Sequence, residues 1–105
     1  LGNAPAFAHV DMVSSVPTNG GVLAPGRPEM TLVFDALIKH VACALTDASG
    51  SAVAALGAPR AEREKVVLPL TATLAAGSYA LACKVAGPDG HDRPHGISFT
   101  VKAAP

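Results

Sequence analysis

The feature that most limits what this chain can become is its punctuation: short extended runs, each cut off by Gly, Pro, Asn or Asp. Nowhere does an apolar repeat of 3.6 residues last long enough for a helix. Met30, Leu32 and Phe34 fall on one face of a run with period two, as do Val41, Cys43 and Leu45, opposed by His40, Ala42 and Ala44. Tyr79, Leu81, Cys83 and Val85 share another face. In the last run Ile97, Phe99 and Val101 alternate with Ser98, Thr100 and Lys102. Residues 12–16 are a further extended run, closed by Pro17 and the turn Thr18-Asn19-Gly20-Gly21. Residues 66–68 begin another strand, which residues 70–74 are expected to continue past Pro69. After the turn signal Asp47-Ala48-Ser49-Gly50, residues 52–56 read as the returning strand of a hairpin. The charged stretch 59–65 reads as a solvated loop. About seven short strands at this spacing predict an all-β sandwich or barrel. Tyr79, just after Gly77 and entering a late strand, resembles the tyrosine corner of Greek-key sandwiches; a merely half-buried tyrosine is the plainer alternative.

A fold of this kind needs one core, and 105 residues, half of them hydrophobic, can supply one. Aromatics are only 4 %, so Val, Leu and Ile must carry the packing. Eight basic and eight acidic residues cancel without forming a run. That excludes a nucleic-acid or anionic-membrane surface, which needs clustered cations. No apolar stretch approaches the ~20 residues of a membrane-inserted helix. Residues 1–8 end in Ala6-Phe7-Ala8, the small-x-small pattern that signal peptidase cuts after. We read them as a signal-peptide remnant or a flexible tail preceding a domain over 9–105. Cleavage there would make His9 the first residue of an exported chain. Cys43 and Cys83 then fit either one disulfide or two buried thiols.

Four histidines stand out: His9, His40, His91 and His95. Asp89, His91, Asp92 and His95 concentrate two carboxylates and two imidazoles in seven residues. Both donor types suit Cu(II), Ni(II) or Zn(II). In Asp89-Gly90-His91 the two side chains share a face if the segment is extended, although an Asp-Gly-His stretch is more often a polar turn. A chain starting at His9 would add an α-amine and an imidazole from one residue, giving with Asp89 and His91 three nitrogens and one oxygen, a set suited to tetragonal Cu(II). His40 has no partner at motif spacing and reads as a surface or strand-edge residue. Catalysis finds no support: Ser14 and Ser15 lack a nucleophile elbow, and neither a phosphate loop nor a zinc-hydrolase helix motif occurs. Copper oxygenases also use an N-terminal histidine, but they need a substrate-binding face that so short and aromatic-poor a chain hardly offers.

The run His9-Val10-Asp11-Met12-Val13-Ser14-Ser15-Val16-Pro17-Thr18-Asn19-Gly20 resembles the mature start of CopC-like periplasmic copper-resistance proteins. Leu32-Val33-Phe34, the stretch from Leu74 to Tyr79, and Asp89-Gly90-His91 are similar to later motifs of that family, in the same order. The resemblance implies an immunoglobulin-like Greek-key β-sandwich or barrel that is not an enzyme. It also implies Cu(II) held by His9, Asp89 and His91, and delivery to an inner-membrane copper transporter or another periplasmic carrier. The chain departs from the pattern after His91, where Asp92 replaces the usual Pro and Gly96 comes one residue late, so His95 becomes a substitute or extra ligand. A metal-free interaction module with a degenerate site, or a site moved to His91, Asp92 and His95, are the rival readings. Cys83 stands where the family commonly places a large aromatic, and a bridge across the core to Cys43 would compensate. Met12 and Met30 fall in strands, and no methionine-rich loop is present, so no thioether Cu(I) site is expected.

Overall fold

Each run with an alternating apolar face becomes a strand in the computed structural model, which describes residues 10–103. In chain order the strands are β1 (Met12–Val16), β2 (Gly21–Leu23), β3 (Glu29–Phe34), β4 (His40–Asp47), β5 (Arg60–Glu62), β6 (Lys65–Pro69), β7 (Gly77–Ala86) and β8 (Asp92–Val101). They form two four-stranded sheets, ordered β1-β3-β6-β5 and β2-β8-β7-β4. Every pairing is antiparallel except that of β2 with β8. The protein is an all-β, immunoglobulin-like sandwich.

Between the sheets lie the residues that the alternation marked. Met30, Leu32 and Phe34 from β3 meet Leu81, Cys83 and Val85 from β7 and Ile97, Phe99 and Val101 from β8. Each large aliphatic or Phe side chain buried this way stabilises the fold by about 1.5–3 kcal/mol. Tyr79 stacks on Phe99 at 5.6 Å between ring centroids, and its hydroxyl donates to the Ala75 carbonyl oxygen at 2.6 Å. This is the tyrosine corner, tying β7 to the turn that precedes it.

Three expectations give way. Residues 59–65 are not a loop but a hairpin: β5 pairs with β6 around Arg63, whose φ of 61° makes the turn. All three β5 residues are exposed, so the segment's charges suit an edge strand that must not recruit another chain. With β5 and the short β2, which the sequence pattern did not mark, gained and residues 52–56 lost, the count is eight. Residues 52–56 do not return along β4. After a single bridge from Ala52 to Thr46 they cross between the sheets, and Leu56 bridges Leu70 beyond β6. Residues 70–74 do not extend β6 as a strand. The Leu70 N–H still continues the register by bonding the Pro28 carbonyl, but at residues 71–72 the chain bends away and the Thr71 N–H goes to the Ala55 carbonyl instead.

At one end of the sandwich four connections are stitched together. Asp35 donates its N–H to the Asp11 carbonyl at 3.0 Å, and Asp11 donates its own to the Asp35 carboxylate at 2.9 Å. The Ile38 N–H reaches the Arg63 carbonyl, and the Lys39 N–H reaches that of Ala86. The β7–β8 turn therefore shares its end of the molecule with the start of β1.

Candidate metal centre

Gly87-Pro88-Asp89-Gly90 folds as its sequence demands, with Pro at the second turn position and Gly closing it. The Gly90 N–H donates to the Gly87 carbonyl at 2.9 Å, and Gly90 takes a φ of 75°, which a side chain would oppose. Asp89 is fixed by the same turn. Its Oδ1 accepts the His91 backbone N–H at 2.9 Å, while Oδ2 lies 3.7 Å from His91 Nδ1 and 3.6 Å from an Arg93 guanidinium nitrogen. The His91 side chain is 76 % exposed and the Asp89 side chain 19 %, so the carboxylate is the anchored donor and the imidazole the adjustable one. Two donors each about 2 Å from one ion stand roughly 2.8–4 Å apart, depending on the angle between them. The Asp89 and His91 atoms already meet that requirement.

Next to this turn runs the beginning of the described chain. Val10 is buried, 2 % exposed, and packs on Gly87: a β-carbon built on Gly87 would stand 3.1 Å from the Val10 Cβ. His9, the remaining proposed ligand, lies outside the described residues, as do residues 1–8.

His95 takes another place. It lies within β8, with its side chain turned inward and set edge-on to Phe34 at 5.1 Å between ring centroids. In the β7–β8 ladder it stands opposite Cys83, three pairs in from the Ala86–Asp92 pair that begins the strand. Asp92 has its side chain on the outer face, where its carboxylate sits 3.1 Å from His40 Nδ1. The turn thus unites Asp89 with His91 but does not bring Asp92 or His95 to them. Among the described residues no group of three or more His, Cys, Asp and Glu side chains is poised around one ion.

Two contacts near the turn are not announced by the sequence pattern. Arg93 reaches Asp89, and only its spacing of four residues across a tight turn hints at the contact. The His40–Asp92 pair spans 52 residues and carries no local signal. Cys43 and Cys83 do form a disulfide. It does not cross the core: the two residues are direct partners on neighbouring strands of one sheet.

The sequence model of the CopC domain matches residues 12–102. No curated protein sequence matches the chain. Among solved structures, the chain is similar to PcoC, a methionine-rich copper resistance protein from Escherichia coli. That similarity is at 29 % identity over 90 % of this chain and 100 % of that one, with a TM-score of 0.77. The fold is shared with CopC from Methylosinus trichosporium OB3b, at 21 % identity, 90 % and 94 % coverage and a TM-score of 0.79. Unlike a methionine-rich relative, this chain has two methionines, one in β1 and one, Met30, fully buried in β3. With nearly all of its described residues inside the matched domain, the chain belongs to the CopC family.

Proposed function

We propose that this protein is a periplasmic copper-resistance protein that binds one Cu(II) ion and sequesters it or passes it on. The recipient would be an inner-membrane copper transporter or another periplasmic carrier. The ion is cargo, and no catalytic role is assigned to the chain. The ligands are the His9 amine and imidazole, the His91 imidazole and the Asp89 carboxylate, in a chain that begins at His9. One observation carries this reading: Val10 is packed on Gly87, so the residue before it is one ~3.8 Å Cα step from a buried neighbour of the Asp89–His91 turn. A start of β1 at the opposite end of the sandwich would have made a shared ion impossible. Because copper and protons compete for imidazole nitrogen, acidification releases the ion.

The test is a Cu(II) titration of the chain beginning at His9, beside His9→Ala and His91→Ala. Loss of tight binding in both variants is expected. His91→Ala binding as tightly as the unsubstituted chain would refute the ligand assignment.

A second reading has one observation in its favour. Arg93 brings positive charge within 3.6 Å of the Asp89 carboxylate, on the side of the turn where an incoming cation would compete with it. A metal-free interaction module would keep that ion pair permanently. It predicts no stoichiometric Cu(II) binding by any of the three chains.

A further inference from the structure

Cys43, Cys83 and His95 lie in one row. Cys43 faces Cys83 in the β4–β7 ladder, and Cys83 faces His95 in the β7–β8 ladder. All three side chains turn to the inner face, as the alternating burial of each strand shows. Three donors are therefore set side by side on adjacent strands, about 4.8 Å apart from strand to strand. An independent observation marks the third of them: the His95 Nε2 is buried and has no hydrogen-bond partner. A buried imidazole nitrogen left without a partner is costly, and a ligand would relieve it. Around the row the sheet carries the small residues Ala42, Ala44, Ala82 and Gly96, with Lys84 and Pro94 beside them, along a shallow depression also lined by both cysteines and His95. Cys43 is only partly buried and lies on the edge strand β4, which makes it the more accessible half of the bridge.

We propose that opening the Cys43–Cys83 bridge creates a second, redox-gated metal site, in which the two thiolates and the His95 imidazole bind one Cu(I). With the bridge closed the sulfurs are spent on each other. A protein dithiol supplies two electrons and two protons to the S–S bond and leaves as its own disulfide. Cu(I) then displaces the two thiol protons, forming two Cu–S bonds and one Cu–N bond to neutral imidazole. Thiolate sulfur selects soft ions, and three donors satisfy Cu(I). Structural Zn(II) sites take four ligands from Cys, His and carboxylate. Here the remaining polarizable neighbour is the Met12 thioether, which borders the same gap as Cys83 and His95.

The site is separate from the Asp89–His91 turn, and the two fail independently. A Cu(II) titration of the oxidised chain tests the turn. Anaerobic competition of the reduced, reductant-free full chain against a chromophoric Cu(I) chelator tests the row. Reduced protein should hold one equivalent of Cu(I) with a thiolate-to-copper ultraviolet band, and oxidised protein should hold none there. Cys43→Ser should abolish the site. His95→Phe keeps a ring against Phe34 but removes the nitrogens, and should weaken Cu(I) binding at least about tenfold while leaving the circular dichroism spectrum unchanged. Loss of folded structure on reduction, equal binding by His95→Phe, equal binding by the oxidised chain, or preference for Zn(II) over Cu(I) would each overturn the proposal.

Discussion

Replacing Gly87 by alanine adds one methyl group where the start of the chain meets the β7–β8 turn. The new carbon would lie 3.1 Å from the Val10 Cβ and 3.7 Å from the Leu37 carbonyl oxygen. Comfortable carbon–carbon contact is about 3.5–4.0 Å. Something must therefore move by a few tenths of an ångström, and the Val10 Cβ sits too close to its backbone to swing aside alone. Overpacking costs about 1–3 kcal/mol, and the lower figure applies where a strand end can slide. Alanine also restricts the unfolded chain, which offsets about 0.4–1 kcal/mol at a position whose φ is not left-handed. Net stability should thus change by less than about 1 kcal/mol. Under the proposed ligand set the displacement falls on Val10, the residue joined to His9, so Cu(II) affinity should drop by about 10–100-fold, the usual cost of disturbing a ligand's support. Urea unfolding and competitive Cu(II) titration of the chain beginning at His9 separate the two effects. Val10→Gly in the Gly87→Ala background removes the opposing Cβ and should recover part of the affinity, as coupled neighbours do. Unchanged affinity in Gly87→Ala would show that the Val10 contact does not govern the site.

Other consequences can be checked on the same protein. Tyr79→Phe leaves the Ala75 carbonyl without its donor and should cost about 1 kcal/mol, read as a lower urea midpoint at an unchanged slope. Reducing the Cys43–Cys83 bridge frees a loop of 40 residues and should lower unfolding stability by about 4 kcal/mol in the chain-entropy view, measured by urea unfolding with and without reductant. Asp47 accepts hydrogen bonds from the Ser49 hydroxyl and from the backbone N–H groups of Ser51 and Ser49, which hold its carboxyl below the ordinary aspartate value. Its contribution is thus fully present above the unfolded pKa and is lost as pH falls through the lowered folded one. The stability gap between the wild-type chain and Asp47→Asn should accordingly narrow in acid, as urea midpoints at neutral pH and below about 3.9 would reveal.

The strands that pack on both sides of the core were legible because one alternating face has to be apolar. Met30-Leu32-Phe34 and Tyr79-Leu81-Cys83-Val85 needed no tertiary information, and neither did the tyrosine corner, whose Gly and Tyr stand close in the chain. The segments that misled are those whose shape is decided by what lies beside them. Arg60 and Glu62 carry no apolar face, so nothing local distinguishes an edge strand from a loop. Residues 52–56 look like strand because alanine and valine tolerate extension, yet the hydrogen bonds that claim them come from both sheets. The Asp89–His91 pair was visible in the turn, since Asp and Gly dictate that geometry. His95 was not separable from it by spacing, because the ladder carries β8 back to Asp92 and so hands His95 to Cys83 instead.

The opening strands divide their allegiance: β1 hangs on β3 in one layer, and after Pro17 the chain passes to β2, which lies along β8 in the other. The front of the molecule is in effect a hinge pin passed through both leaves. Force or thermal agitation on the leading residues would have to unzip two independent ladders before the leaves could part. A cargo ion could then come and go at the tip without loosening the body that presents it.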